Sequence, residues 1–317
     1  MGILKPYFIS SVLCFLCLGA SIAAKIDNAN PWFSGSLLSF GAENPSQGKF
    51  FIQPYLYVTR LPGSYDKNSK FCSDRNTHQY QGILELEIGI TKNVACELEV
   101  AQIHSYSKTQ GTVNNGQIDL YLAFQIFKDK RHTWIPDLRM IVGELVPYGR
   151  FSHPNSSLTE TIVSSAGASS TALILIYRKI FYGKHPSNIL LNVNYLIPRS
   201  FSVKGMTRLG GDENTRGIYK PGKEWEIDFV YEYKFNRTWG YVMDIFYQYQ
   251  DQAGFHATKN PFAAPPSTSS SSNLSLAPAL EYNFNSDLAF VIGAWFSVIG
   301  RNSAAFNSLV STISYMF

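Results

Sequence analysis

Charged side chains are scarce in this 317-residue chain. Asp, Glu, Lys and Arg make up 16% of it, below the roughly 25% that is usual in soluble domains. The formal net charge of +4 is too small to indicate a nucleic-acid-binding protein by itself. Hydrophobic residues reach 45% and aromatic residues 15%. A charge-poor, aromatic-rich chain without a helical pattern is typical of a β protein that contacts lipid.

Long hydrophobic runs are absent after the first 24 residues, because no later stretch has about 18 uninterrupted apolar residues. Helical membrane spans are therefore excluded from residues 25–317. The first 24 residues, MGILKPYFISSVLCFLCLGASIAA, have one lysine, an apolar stretch and then small residues. This order predicts a cleaved secretory signal peptide. A retained membrane anchor is the alternative, since the stretch from Tyr7 is nearly long enough to span a bilayer.

Cysteine is also rare, and only Cys72 and Cys96 remain after the predicted cleavage. An oxidising compartment would permit a disulfide. However, Cys96 lies in the apolar register of a strand and Cys72 lies in a polar segment, so two unpaired thiols are the preferred prediction. No metal-ligand spacing occurs. We therefore predict no metal, cofactor-binding or catalytic site.

The chain does have period-2 alternation of apolar and polar residues along its whole length after residue 48, which predicts β-strands. We count about twelve strands of roughly ten residues, the length that a tilted strand needs to cross a bilayer. The connections alternate between short ones and long ones. The short connections fall at 91–93, 128–135, 181–187, 236–237 and 285–286, and the long ones fall at 60–80, 104–116, 148–167, 199–222 and 251–271.

This asymmetry is typical of barrels with tight periplasmic turns and long extracellular loops. Aromatic residues agree, because Trp225 and Tyr249 lie near one end of a strand pair and Tyr233 and Tyr241 near the other. The sequence therefore predicts an all-β fold, a transmembrane antiparallel β-barrel of about 12 strands in the bacterial outer membrane. The predicted organisation is a signal peptide over residues 1–24, a periplasmic or lumen-plugging segment over residues 25–48, and the barrel over residues 49–317.

Two resemblances support this prediction. The end of the chain, SLVSTISYMF, resembles the C-terminal signal of bacterial outer-membrane barrels, which implies contact with the barrel-assembly machinery through Phe317. The stretches NPWFSGSLL, QPYLYVT, LVPYG and GRNS resemble a family of outer-membrane barrels regarded as transporters, some linked to phenol-degradation (meta-pathway) gene sets. That resemblance covers most of residues 25–317 and implies import of small molecules. It brings no catalytic residue and fixes no substrate.

The stretch ILELEIGITKNVACELEV, residues 83–100, indicates what fills the barrel. If its leucines and isoleucines face lipid, Glu85 lies opposite Glu99 and Glu87 lies opposite Glu97. Like charges at that separation destabilise a sheet, but water in a lumen would screen them. We therefore predict an aqueous lumen. Its predicted lining residues are Glu85, Glu87, Glu97, Glu99, Asp119, Arg139, Arg178, Glu226, Asp228, Glu232, Asp244 and Glu281.

An acidic lumen predicts a passive channel for small polar or cationic solutes. The alternative is a lumen closed by salt bridges or by residues 25–48, in a barrel that acts as an adhesin or structural surface protein through its long loops. Basic residues in loops 60–80 and 199–223 indicate contact with the phosphates of lipopolysaccharide beside the membrane lipid, and solvated surface charge is the alternative for any single residue. Small solutes are thus the expected ligands, and nucleic acid is not an expected partner.

An enzyme is the least favoured class. Some outer-membrane barrels are phospholipases, which carry a His and a Ser two residues apart on a strand with an Asn in support. The nearest approach here, His153-Pro154-Asn155-Ser156, lies in a predicted loop. His104 and Ser105 are adjacent and therefore point to opposite faces of a strand. No histidine has a partnered nucleophile.

Overall fold

A computed structural model describes residues 31–73, 77–107, 111–148, 152–153, 167–207, 214–259 and 269–317; side chains are not described at 107, 111–115, 152–153, 206–207 and 259. The predicted signal peptide, residues 1–24, lies outside the described residues. Among the residues described, no helix is long and apolar enough to cross a membrane.

Twelve long strands form one closed antiparallel barrel. They are β1 (Phe50–Tyr65), β3 (Thr77–Gly89), β4 (Val94–Ser107), β5 (Gly111–Phe127), β6 (Asp137–Tyr148), β8 (Ser170–Phe181), β9 (Ser187–Pro198), β13 (Glu224–Lys234), β14 (Trp239–Gln250), β16 (Ser271–Asn283), β17 (Leu288–Arg301) and β18 (Ser303–Met316). Each pairs with its neighbour in the chain, and β18 pairs with β1 to close the ring. The predicted strand number and topology are confirmed.

Among the described loop residues there are six short strands: β2 (Phe71–Cys72), β7 (Ser152–His153), β10 (Phe201–Lys204), β11 (Met206–Thr207), β12 (Arg216–Lys220) and β15 (Gly254–Lys259). Three of them, β10, β12 and β15, form a small sheet at the long-loop end. Val203, Tyr219 and Ala253 make a separate small core there. The loops predicted over 199–222 and 251–271 thus contain strands.

The prediction of a long loop over residues 104–116 was wrong. β4 continues to Ser107 and β5 begins at Gly111, so these two strands are 14 and 17 residues long. The physical reason is that hydrophobic alternation ends where a strand leaves the lipid, whereas the hydrogen-bonded ladder continues above it. His104, for example, still pairs with Tyr80 on one side and with Asn114 on the other.

The outer surface of the barrel is apolar because alternate strand residues face lipid. Leu56, Leu120 and Leu309 are each more than half exposed. The predicted aromatic positions hold, since Trp225 pairs with Tyr249 near one end of β13 and Tyr233 pairs with Tyr241 near the other. Within the described residues, Cys72 and Cys96 form no disulfide, which confirms the prediction of unpaired thiols.

Residues 31–48, called the plug segment from here on, precede β1 and pack against inward-facing residues of the barrel. Leu37 is fully buried in a core with inward residues of the strands, including Val230, Val242 and Val310. At its C-terminal end the Gly48 N–H donates to the Gly89 carbonyl, 2.8 Å away. A side chain at residue 89 would collide with the carbonyls of Pro45 and Ser46, so the glycine permits this close approach.

Candidate functional site

The carboxylates of β3 and β4 form the first group on the inner wall. Glu85 pairs with Glu99 and Glu87 pairs with Glu97 across the two strands, in the register expected from the sequence. Asp119 on β5 pairs with Glu99 and continues the group. Glu85, Glu87, Glu97 and Asp119 are buried, whereas Glu99 is partly exposed. Their side chains point inward because the intervening leucines and isoleucines face outward.

Arg139 on β6 is the basic partner of this group, and it also holds the plug segment. Its side chain is 1% exposed. Nη2 donates to Glu87 and lies 3.7 Å from a Glu97 oxygen, while Nη1 donates to the Gly41 carbonyl at 2.8 Å and Nε donates to Asn44 Oδ1 at 2.7 Å. The expectation that water alone screens these carboxylates therefore needs correction, since a guanidinium and the plug segment cover Glu87 and Glu97.

Strands β13, β14 and β16 carry the second acidic group, and serines of the plug segment bind it. Ser36 Oγ donates to Asp244 at 2.9 Å, and the Leu37 N–H donates to the same carboxylate at 3.1 Å. Ser39 Oγ donates to Asp228, and Ser34 donates to Glu281 through both its hydroxyl and its N–H. Three serines of NPWFSGSLLSF thus each bind a carboxylate from a different strand.

Two further basic residues complete the inner wall near the short-turn end. Lys234 pairs with Glu281 and lies 3.8 Å from a Glu232 oxygen. Arg178 on β8 donates from Nε to Asp137 at 2.9 Å and from Nη2 to Glu43 of the plug segment. Burial opposes ionisation of Glu43, but the Arg178 charge and hydrogen bond outweigh it and lower the pKa of that carboxyl below its ordinary value.

The two acidic groups lie on opposite sides of the ring. Three strands, β6, β8 and β9, separate β5 from β13 on one side, and three strands, β17, β18 and β1, separate β16 from β3 on the other. The plug segment crosses between them. On the β13–β16 side, its serines bind carboxylates. On the β6–β8 side, its carbonyl, amide and carboxylate oxygens bind arginines.

Two cavities of similar volume lie among the described residues, one on each side of the plug segment. The inner cavity, at the short-turn end, has a volume of ≈ 290 Å³ and is bordered by Phe33, Glu85 and Arg178. The outer cavity, at the long-loop end, has ≈ 300 Å³ and is bordered by Leu38 and Phe40 of the plug segment. Ser39 borders both. The plug segment therefore separates two compartments of the lumen.

All twelve residues expected to line the lumen have side chains that are buried or half-buried. Glu226 borders the outer cavity with Glu99 and Asp119, and Glu232 borders the inner one. The sequence interpretation missed Ser34, Ser36, Ser39, Glu43 and Asn44, which hold the plug segment. Their only signal was the unusual serine spacing in a segment without strand alternation.

One described cluster has the donor set of a metal site. Glu85, Glu87 and Glu97 each bring a carboxylate oxygen within 4.8 Å of the others. Carboxylate oxygens suit hard cations such as Ca²⁺ or Mg²⁺. Arg139 already contributes a positive charge at Glu87, so the cluster alone does not define a metal centre.

The histidines considered for catalysis lie on different elements, His104 on β4 and His153 on β7. β7 is a two-residue strand within the predicted loop and pairs His153 with Met206, and residues 154–156 lie outside the described residues. Ser105 Oγ accepts a hydrogen bond from Gln79 Nε2 at 3.0 Å.

Comparisons with known proteins now define the fold class. No family model matches the chain, and no curated protein matches it. Among solved structures, the COG4313 outer membrane channel from Pseudomonas putida F1 is similar, with a TM-score of 0.63 and 10% identity over 88% of this chain and 99% of that one. The TodX monoaromatic hydrocarbon channel (a ΔS2S3 mutant) has a TM-score of 0.46 and 11% identity over 92% of this chain and 96% of that one. The transport unit of the Escherichia coli autotransporter AIDA-I has a TM-score of 0.45 and 9% identity over 89% of this chain and 94% of that one.

The fold similarity to the Pseudomonas putida channel agrees with the closed ring of twelve strands and its apolar outer surface. The resemblance to outer-membrane barrels inferred from the sequence is thus confirmed at the level of fold, while membership of the meta-pathway transporter family stays a prediction. The chain is a transmembrane β-barrel of the kind found in the bacterial outer membrane.

Proposed function

We propose that this barrel is a passive outer-membrane channel for small polar or cationic solutes and that the plug segment gates it. The observation that carries the proposal is the way the lumen is filled. The plug segment binds the inner wall mainly through hydrogen bonds and ion pairs, and it leaves a cavity on each side. Barrels of about eight strands are filled by side chains of their own strands, whereas wider barrels enclose a channel or a plugged lumen.

The excess of negatively charged side chains on the inner wall supports cation preference. The predicted lining contains ten carboxylates and two arginines, and Lys234 adds a third basic group. Clusters of carboxylates around a pore favour cations and disfavour anions. The fold similarity to a protein described as an outer membrane channel is consistent with this role.

The test is single-channel conductance of refolded residues 25–317 in a planar bilayer with a KCl gradient. We expect rare openings for this chain and steady conductance when residues 31–46 are deleted, with a reversal potential that reports preference for K⁺. The triple substitution Ser34→Ala, Ser36→Ala and Ser39→Ala should raise the open probability without removing the segment. A deletion variant that folds, as judged by heat-modifiable mobility in SDS gels, yet stays silent or prefers Cl⁻ would contradict the proposal.

A second candidate is a surface protein that acts through its loops, and one observation favours it. The sheet of β10, β12 and β15 has its own core, so the long-loop end presents an ordered surface rather than flexible chain alone. In that case the deletion variant should be silent in the bilayer. Binding of whole cells to lipopolysaccharide or host surfaces should depend on the loop strands β10, β12 and β15.

A further inference from the structure

The outer cavity combines aromatic rings with carboxylates, and no basic side chain is among the described residues that line it. Its aromatic lining comes from Phe40 of the plug segment and from Tyr57, Tyr121, Phe246 and Trp295 of the strands. Its acidic lining comes from Glu99, Asp119 and Glu226. Such a pairing of ring faces with carboxylates suits an organic cation, since ring faces attract ammonium groups and carboxylates bind them by charge-assisted hydrogen bonds.

The rings are held in place by contacts with one another. Trp295 lies against Tyr57 and Phe246, with ring centroids 6.2 and 6.1 Å apart, and its indole N–H donates to Ser275 Oγ at 2.9 Å. Phe40 meets Tyr121 edge to face at 5.2 Å. The Tyr121 ring occupies the space that a side chain at Gly143 would need on the neighbouring strand. Because these aromatic rings are ordered before a ligand enters the outer cavity, binding would cost little side-chain entropy.

Asp119 gives an independent sign of a missing ligand. Its side chain is 2% exposed, and its Oδ2 accepts hydrogen bonds from Gln117 Nε2 at 2.9 Å and from Tyr121 Oη at 3.4 Å. In the described part of the chain no donor reaches Oδ1. The Asn194 side-chain oxygen at the same cavity also lacks a donor. Buried oxygens without donors are uncommon in folded proteins and call for an explanation.

We propose that the outer cavity is a binding site for small organic cations with an apolar or aromatic body, such as arylalkylammonium ions. The ammonium group is placed near Asp119, Glu99 and Glu226, and the apolar body lies among Phe40, Tyr57 and Trp295. The volume of ≈ 300 Å³ lies at the lower end of the roughly 300–1,000 Å³ range of ligand pockets, which limits the ligand to a small molecule. This inference deepens the proposed channel function and rests on it only for the route of entry.

The test uses three probes of similar size and different charge: benzylammonium, benzyl alcohol and benzoate. Each is titrated into detergent-solubilised residues 25–317 by isothermal calorimetry, with tryptophan fluorescence, to which Trp295 contributes, as a second readout. We expect benzylammonium to bind at least tenfold more tightly than benzyl alcohol and benzoate not to bind. Asp119→Asn keeps the shape of the side chain and should weaken benzylammonium binding roughly tenfold, as expected for loss of one charge-assisted hydrogen bond, while leaving benzyl alcohol unchanged.

Glu226→Gln serves as a second variant, so that misfolding of Asp119→Asn cannot decide the result. Glu144→Gln is the matched control, because Glu144 is a carboxylate near the same end of the barrel that pairs with exposed Arg199 outside the cavity. Equal binding of benzylammonium and benzyl alcohol, or unchanged binding in both cavity variants, would overturn the proposal. The assay needs no conduction, so a silent bilayer with selective binding would reject the channel and keep the site. Conduction without selective binding would keep the channel and reject the binding site.

Discussion

At the scale of single residues, Arg139 connects the inner wall to the plug segment. It is almost fully buried, and each of its three guanidinium nitrogens has a partner: Glu87, the Gly41 carbonyl and Asn44. The sequence predicted that Arg139 points inward, because it alternates with outward apolar residues. It could not predict these partners, since they lie 52, 98 and 95 residues away and two of them belong to a segment without alternation.

Replacing Arg139 should destabilise the barrel strongly. Arg139→Met leaves Glu87 and Glu97 buried beside each other without the guanidinium, and loss of one partner of a buried pair costs about 3–5 kcal/mol. The free energy of unfolding is measured by urea titration of the protein in lipid vesicles. Arg199→Met is the control, since Arg199 is 63% exposed in its pair with Glu144 and should cost less than about 1 kcal/mol. Equal effects of the two substitutions would contradict the assigned role.

Glu43 gives the plug segment a dependence on pH. Its side chain is 47% exposed and pairs with Arg178, and its pKa is lowered by that arginine. A lowered pKa means that the link is intact above the ordinary value of 4.5 and is lost as the pH falls through the lowered value. Open probability should therefore rise only in acid, at a pH below the ordinary value of 4.5.

The control for this pH dependence is Glu43→Gln, which lacks the charge at every pH. That variant should open more often at neutral pH and lose the part of the acid response that Glu43 provides. Glu144→Gln, a carboxylate outside the plug contacts, should behave as the unmodified chain does. An acid response that is the same in Glu43→Gln and the unmodified chain would assign it to other carboxylates.

At the scale of elements, apolar–polar alternation in the sequence predicted where the strands lie. It could not predict the tertiary contacts between the strands and the plug segment. The β3–β4 register followed from the sequence because a shift by one residue would turn every glutamate toward lipid. Alternation is weaker farther along the chain, in β6, since inward Ile141 and outward Val142 are both apolar. The reason is now visible: Ile141 belongs to the core that contains Leu37 of the plug segment. Alternation cannot reveal a strand whose inner face packs against another part of the chain.

The seam between β1 and β18 depends on the last residue of the sequence. Phe317 exchanges two backbone hydrogen bonds of 2.9 Å with Phe50, and their rings stack with centroids 5.6 Å apart. Phe317→Ala keeps the backbone bonds but loses ring contacts worth about 0.5–1.5 kcal/mol. We expect a lower yield of heat-modifiable barrel in outer-membrane fractions.

Phe284→Ala is the control for the seam. Phe284 is also an exposed ring near the short-turn end, but it lies at the β16–β17 turn and contacts Tyr282 instead of the seam. Its yield should equal that of the unmodified chain. If both substitutions lower the yield alike, the effect belongs to interfacial aromatic residues in general rather than to recognition or closure at Phe317.

At the scale of the whole molecule, the acidic wall should determine ion preference. In the variant without residues 31–46, substituting Glu85, Glu87, Glu97 and Glu99 together by glutamine removes four formal negative charges from one side of the lumen. The reversal potential in a KCl gradient should move toward zero, because fewer carboxylates attract K⁺. The control replaces Glu144 alone. An unchanged reversal potential in the fourfold variant would contradict the proposed origin of selectivity.

The plug segment also has a consequence for the order of assembly. Its partners lie late in the chain: Ser36 binds Asp244 across 208 residues, and Ser34 binds Glu281 across 247. Contacts between such distant residues form slowly, because the intervening chain must first be ordered. We therefore expect the plug segment, which is synthesised before the strands, to dock after nearly all of them. Each new molecule would then pass through a stage in which the barrel is formed and the lumen is still open, and a longer stage would allow more leakage across the membrane.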